Sequence, residues 1–365
     1  MHKIAISRYH LSEILIKYLR WFYLVKLKDI AEVAGVSVST VSRTLTNQSG
    51  VSNKLRAKVI DAAKQLGYPV KPYLGETSSF SNYKPKGIIG VTGDPMHNPF
   101  FYEVFSAVEA YANSRGYTVM HWNAQSVWKD VNAFINTIRY HQFSGMVCIS
   151  IEIPEPVEEF IKSSQFPCIT VGRYMKSRLI DSVTADNING SVIATEQIIN
   201  HGHERVLFIG GPHESTASID RARGYMEVMN RHGLFDNSLV FFTSLNYVSG
   251  YKTTMAALKQ GLKFTAIFAA SDIIAIGVLD ALTKNNLRVP DDISVVGFDN
   301  IEMSSYNIFK LTTVNQPKKE QGLVAAERIL QLVENSTINQ RQHIVLPAEF
   351  IPRNTLQPIR PKARA

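Results

Sequence analysis

The chain has 365 residues, long enough for a small domain beside one or two larger ones, and its 45% apolar and 19% charged content is ordinary for a globular protein. Its two cysteines, Cys148 and Cys168, each lie inside an apolar run, which argues against a disulfide framework or a zinc cluster and fits a reduced, cytoplasmic setting. The net charge of +8 is placed unevenly: residues 1–24 carry +3, residues 25–86 carry +6 and the remainder −1. A basic head on a neutral body is the electrostatic footprint of a nucleic-acid-binding module, although a solvated basic surface has the same balance.

In residues 1–24 the apolar stretches around Leu15 and Trp21 are interrupted by Lys17 and Arg20. No run approaches the ~20 apolar residues of a membrane span, and there is no clean export signal. These residues are expected to be an extension, with translation beginning at Val25. A basic interfacial helix is the alternative.

From Leu27 the residues Leu27, Ile30, Ala31 and Ala34 share one helical face. Gly35-Val36-Ser37 interrupts the pattern, and Val41 and Leu45 resume it four residues apart. Gly35 can take the positive φ of a tight turn, and Ser37 is an N-cap for the second helix. Two short helices about a glycine turn make a helix-turn-helix, whose second helix enters the DNA major groove. The same spacing also fits an ordinary helix pair in a core. Ser52 can cap a third helix, with Leu55, Val59, Ala62 and Leu66 inward and an end at Gly67. Residues 69–86, with Pro69, Pro72, Gly75 and Pro85, read as a linker.

Beyond Gly87 short apolar strands alternate with helices. Strands are expected at 88–91, 117–120, 145–149 and 168–171, with helices reaching Ser114, around 131–140 and ending near Ile161. A second series is expected to begin near Val183, with a helix over 188–201 and strand 205–209. It continues with a helix after Arg221, strand 266–269, helix 272–285 and strand 294–298. Alternation of this kind implies parallel sheets covered by helices on both faces, and two series imply two doubly wound lobes with a crevice at the strands' carboxyl ends.

Catalytic and cofactor signatures are scarce. No Gly-x-Gly-x-x-Gly follows the first strand of either series, and neither a nucleophile elbow nor a phosphate-binding Walker loop occurs. His201 and His203 flank a glycine at a helix end and read as turn chemistry rather than a metal pair. No cofactor and no metal are expected.

The segment Leu27 to Arg43 is similar to the N-terminal signature of the LacI/GalR family of bacterial transcription regulators. Further motifs follow in family order: Asn98 to Phe101, Asp186-Asn187 with Gly190, Gly202 to Arg205, Arg221 to Tyr225, Ala270 to Gly277 and Val289 to Asp299. The resemblance covers nearly all of residues 25–354. It implies a homodimeric repressor that binds operator DNA, with a core like a periplasmic sugar-binding protein that closes on a small effector. The implied division is an extension at 1–24, a helix-turn-helix domain at 25–68, a hinge at 69–86, a two-lobed core at 87–354 and a tail at 355–365. In the head, Val38 and Ser39 occupy the positions that choose bases, and Thr40, Ser42 and Arg43 match the more constant DNA-facing positions. Lys28, Ser37 and Asn47 complete that set. In the crevice, Arg221 matches the family's effector-binding arginine, Ser271 and Asp272 its polar pair, and Asp299 its acidic ligand. Phe100 and Phe101 would supply an apolar wall.

Departures from the family pattern fall at both sites. Gly172 and Arg173 stand where many sugar-binding relatives carry an aspartate, and Leu245 replaces the aromatic wall, with Tyr247 nearby. A neutral hexose and a phosphorylated or acidic sugar, held by Arg173 with Arg221, are rival effectors. In the hinge, Pro72 and Gly75 disfavour the family's helix, and Leu74 is the remaining candidate to wedge into the minor groove. Two other functions fit parts of the chain. A solute-binding protein of a sugar transporter would leave the basic head unexplained. A sugar-modifying enzyme would need a paired carboxylate or metal constellation that the sequence does not display.

Overall fold

Strands whose alternate residues are all apolar must be covered on both faces, and this requirement builds the larger part of the protein. The computed structural model describes residues 25–46, 50–66, 68, 85–93, 99–124, 128, 130–335 and 340–359. Residues 1–24, Asn47, Gly67, Leu74 and the rest of the expected hinge up to Lys84 lie outside the described residues. The chain divides into two compact units, Met1–Lys84 and Pro85–Ala365.

In the first unit, α1 (Leu27–Ala34), α2 (Val38–Leu45) and α3 (Asn53–Gln65) enclose Ile30, Ala31, Ala34, Val41, Val59, Ala62 and Ala63. Ser52 caps α3 through the N–H of Leu55. The inward face of α3 differs from expectation at one position: Leu55 is exposed and Arg56 is buried instead. In α2, Thr44 turns inward beside Val41.

The second unit contains two lobes. The first holds β1 (Ile88–Thr92), α4 (Phe100–Ser114), β2 (Thr118–His121), α5 (Val131–His141), β3 (Phe143–Ile149), α6 (Glu155–Ser164), β4 (Cys168–Val171) and β5 (Asp181–Ala185). The second holds α7 (Asn187–Asn200), β6 (Val206–Gly210), α8 (Thr216–Arg231), β7 (Val240–Phe242), α9 (Tyr247–Lys259), β8 (Ala266–Ala269), α10 (Asp272–Lys284), β9 (Ser294–Val296) and β10 (Thr313–Asn315). The chain then returns to the first lobe with α11 (Lys318–Glu334) and β11 (His343–Leu346), and crosses once more to place β12 (Glu349–Ile351) against β10.

The sheet orders are β11-β5-β4-β3-β1-β2 and β7-β6-β8-β9, and every pairing within them is parallel. Strand alternation sorts the cores. Ile89, Val91, Val147 and Ile149 face α4 and α11, whereas Met146, Cys148 and Cys168 face α5 and α6. Leu207, Ile209 and Ile267 face α9 and α10, whereas Phe208, Phe268 and Val296 face α7 and α8. Cys148 and Cys168 are buried free thiols.

Three expectations are corrected. The strand at Val183 belongs to the first sheet, because β5 pairs with β4, so the second lobe starts at α7. Arg221 lies inside α8 rather than before it. Residues past 354 join the second lobe: Thr355 is buried, its hydroxyl accepts from the Thr312 N–H at 2.8 Å, and the Ile359 N–H reaches the carbonyl of His201 at 2.9 Å.

Two contacts fasten the returning segment. Gly322 lets α11 approach α4 so closely that a Cβ there would meet the carbonyl of Val104 at 2.5 Å. Arg328 donates to the fully buried Asp181 at 2.6 Å, with Arg341 3.9 Å from the same carboxylate.

Candidate functional site

The helix-turn-helix geometry follows from local chemistry. The Asp29 carboxylate accepts from the Lys26 N–H at 2.7 Å and closes the start of α1. Gly35 ends that helix at φ 62. Ser37 is the N-cap of α2, its oxygen accepting from the Thr40 N–H at 3.2 Å and lying 2.9 and 2.8 Å from the hydroxyls of Ser39 and Thr40. The cap therefore fixes where α2 begins and which residues lead it.

At 100° per residue, Val38, Ser39, Ser42 and Arg43 fall in one stripe opposite the buried Val41 and Thr44. Val38 is 45% exposed, Ser39 and Arg43 are exposed, and Thr40 and Ser42 are half-buried. Lys28 is exposed on α1. The described DNA-facing candidates thus include a presented stripe, with Ser37 serving as its cap.

The crevice lies between the carboxyl ends of the two sheets, where the strand orders switch direction. Its walls are Phe100, Ser150, Gly172, Arg173, Ser215, Ala217, Ser218, Arg221, Leu245, Ser271, Ile273, Asp299 and Gln316. They line a space of about 460 Å³ that is partly open to solvent.

Arg221 and Asp299 form the polar centre. Both are buried, with Arg221 Nη1 3.1 Å from Asp299 Oδ1. Arg221 Nε donates to Asn187 Oδ1 at 2.8 Å, Nη1 also reaches the Ala270 carbonyl, and the guanidinium lies 3.9 Å from the centre of the Phe298 ring. Gln316 Nε2 donates to Asp299 Oδ1 at 2.6 Å, and Lys318 Nζ donates to the backbone oxygen of Asp299 at 2.8 Å. These ties hold Asp299 at φ 118, a conformation that a non-glycine residue keeps only under such constraint. Burial lowers the Arg221 pKa, and burial raises that of Asp299 against the pull of Arg221.

Adjacent candidates separate. Ser271 faces the crevice and caps α10 through the Ile274 N–H. Asp272 points away from it. Its carboxylate accepts from the Thr313 hydroxyl at 2.5 Å and the Ile301 N–H at 2.9 Å, so it ties α10 to the crossing segments. Burial, then the charge of Asp299, lifts its pKa to about 8. Likewise Phe100 lines the crevice while Phe101 packs into the core against Phe105 and His121. Asp272 and Phe101 are thus corrected from crevice residues to structural ones. Leu245 and Arg173 do line it.

Ser150, Ser215, Ser218 and Gln316 were missed from sequence, whereas Gly172, noted there as a departure from the family's aspartate, does line the crevice. Ser150 directly follows β3, as Gly172 follows β4, where the carboxyl-end rule could have found it. Ser215 and Ser218 depend on where α8 begins, and Gln316 on the crossing after β10.

Residues 26–69 match the family described as "Bacterial regulatory proteins, lacI family", and residues 195–356 match the "Periplasmic binding protein-like domain". The HTH-type transcriptional regulator RegA of Clostridium saccharobutylicum is 31% identical over 331 residues, covering 90% of this chain and 98% of that protein. Among solved structures, the transcriptional regulator CelR–cellobiose complex superposes with TM-score 0.69 at 25% identity, covering 91% of this chain and 99% of the other. The lac repressor dimer bound to operator and the anti-inducer ONPF gives TM-score 0.63 at 26% identity, covering 91% and 98%.

Proposed function

From the premise that the chain belongs to the LacI family of bacterial regulatory proteins, we propose that it is a repressor whose head reads operator DNA and whose core binds a sugar or sugar derivative that controls that reading. The observation that carries this is the capped helix α2, which presents Val38, Ser39 and Arg43 on a basic unit, in the same chain as a two-lobed crevice centred on Arg221 and Asp299. The cellobiose in CelR and the operator in the lac repressor dimer are the kinds of ligand we assign to these two sites.

In the head, α2 lies in the major groove. Arg43 and Ser39 hydrogen-bond base edges, and the Val38 methyls suit the methyl group of thymine. Lys28 and the other basic side chains meet phosphates, so affinity falls steeply with salt. Two heads act together on a pseudo-palindromic operator through a homodimer.

In the core, the effector touches Arg221, Ser271 and Asp299 on one lobe and Phe100, Ser150 and Arg173 on the other. Its differential affinity for two arrangements of the lobes is the free energy that couples it to DNA. We read the core as a binder and not an enzyme, since Asp272, the carboxylate adjacent to the crevice in sequence, is wholly committed to Thr313 and Ile301. The proposed division is a head at 25–68, a linker at 69–86 and an effector core from 87, acting in the cytoplasm where the DNA is.

A gel shift of the full chain on its own promoter tests this. Salt-sensitive binding that is altered by a sugar, with loss of the sugar response in Arg221→Gln, is expected. Absence of any DNA binding would sink the regulator reading.

A further inference from the structure

One end of the crevice is rich in donors, and several of them have no acceptor among the described residues. Helix α8 runs 16 residues, and Ser215 at its N-cap makes no capping hydrogen bond. Among the described residues, no acceptor meets the backbone N–H of Thr216, Ala217 or Ser218. Ser215, Ala217 and Ser218 all line the crevice. A helix start with its cap unused holds a partial positive charge and free N–H groups.

Arg173 stands against that turn and supplies an independent signal. Its side chain is 9% exposed, and its buried Nε–H has no partner. Its Nη2 donates to the carbonyl of Glu214, the residue before the N-cap, at 2.8 Å, and lies 3.5 Å from a carboxylate oxygen of Glu152. Glu152 is half exposed, so its screening of the guanidinium is shared with solvent. Thr216 and Tyr174 clasp the two loops together: the Tyr174 N–H donates to Thr216 Oγ1 at 3.1 Å, and that hydroxyl donates to the Tyr174 carbonyl at 2.8 Å. Gly172, at φ 82, keeps the approach open, because a Cβ there would lie 2.7 Å from Ser150 Oγ.

Leaving a buried guanidinium N–H unmet is costly, so the site is built for a group that supplies several acceptor oxygens and negative charge. A neutral hydroxyl supplies one oxygen and no charge. A phosphate monoester supplies three terminal oxygens and matches both the helix terminus and the guanidinium. The opposite end, where Asp299 and Arg221 offer an acceptor and a donor side by side, suits sugar hydroxyls.

We propose that the effector is a phosphorylated sugar whose phosphate is held by Arg173 Nε, the first-turn N–H groups of α8 and the hydroxyls of Ser215 and Ser218. This rests on the crevice being the effector site.

The test is thermal shift and titration calorimetry on the full chain. The probes are inorganic phosphate, and glucose 6-phosphate, fructose 1-phosphate and ribose 5-phosphate each beside its parent sugar and a sugar acid. A bound ligand stabilises the fold in proportion to its occupancy. At least one phosphate-bearing probe should bind the wild type at least tenfold more tightly than its neutral counterpart or, for inorganic phosphate, raise the melting temperature by itself. Arg173→Gln should remove that advantage, bringing the phosphate-bearing probe down to the affinity that the same variant shows for the parent sugar. Ser218→Ala, a smaller change, should reduce it in part.

The proposal is overturned if no phosphate-bearing probe, inorganic phosphate included, shows an Arg173-dependent shift. It is overturned equally if a neutral sugar or a sugar acid binds best. If a sugar binds and Arg221→Gln leaves it untouched, the crevice reading fails as well. If binding needs Arg221 and ignores Arg173, only the phosphate assignment fails.

Discussion

Arg221 Nη1 and Asp299 Oδ1 are 3.1 Å apart with both side chains 7% exposed, so each is the other's answer to being buried. Their contact spans 78 residues of sequence, from the middle of α8 to the segment after β9. Removing one partner leaves the other charged and desolvated.

Arg221→Ala should therefore destabilise the core by about 3–5 kcal/mol, read as a lowered urea midpoint. Arg221→Ala combined with Asp299→Asn should recover much of that loss. A double variant no more stable than the single one would show that the pair is not coupled.

Acid should tighten the core around Asp272. The pKa of this group rises from 3.8 to about 8 on folding, chiefly by burial. Between those values the folded chain keeps a proton that the unfolded chain has released, so this group's contribution to stability declines as pH rises through the window. Asp299 is raised for the same first reason and acts in the same direction. Urea melts at pH 5, 6, 7 and 8 should show stability declining with pH, and Asp272→Asn should flatten that slope.

Thr44 carries a buried hydroxyl that has no hydrogen-bond partner among the described residues. Thr44→Val keeps the shape and removes the stranded polar atom, with an expected gain of about 1 kcal/mol in the head. Slower hydrogen exchange of the α2 amides in the full chain is the measurement. Exchange that is unchanged or faster would show that the hydroxyl is satisfied in solution.

Arg43 is exposed and lies outside the head's apolar core as formed by the described residues. Arg43→Ala should weaken operator binding by about 1–3 kcal/mol without lowering the melting temperature. If binding holds in a gel shift, α2 reads DNA without it.

The head was the most legible part of the chain, because its helix ends are written in local chemistry: a glycine where φ must be positive and serines where caps are needed. The strands were legible as short apolar runs. What could not be read was which sheet a strand joins. Val183 lies in a strand either way, and only the nonlocal pairing of β5 with β4 assigns it. The edge strand β7 escaped because its residues are only half-buried. At the crevice, neighbours in sequence diverged. Ser271 and Asp272 sit where strand turns into helix, so one faces the ligand space and the other the crossing segments. Phe100 and Phe101 are 100° apart on a helix and part in the same way. Ser215 and Ser218 carry no signature until the first turn of α8 is located.

The first lobe borrows its covering helix α11 and its outer strand β11 from the far end of the chain, and Arg328 clips them to Asp181. A ribosome therefore releases that lobe unfinished. Residues 85–185 must wait, with one face of their sheet covered only by α4, until residues 318–346 emerge. Every nascent chain thus passes through a stage in which the apolar cluster of Val104, Val108 and Val183 lacks the side that α11 supplies. Any truncation before α11 makes that stage permanent, so such premature termination should yield insoluble product rather than a free-standing half-binder.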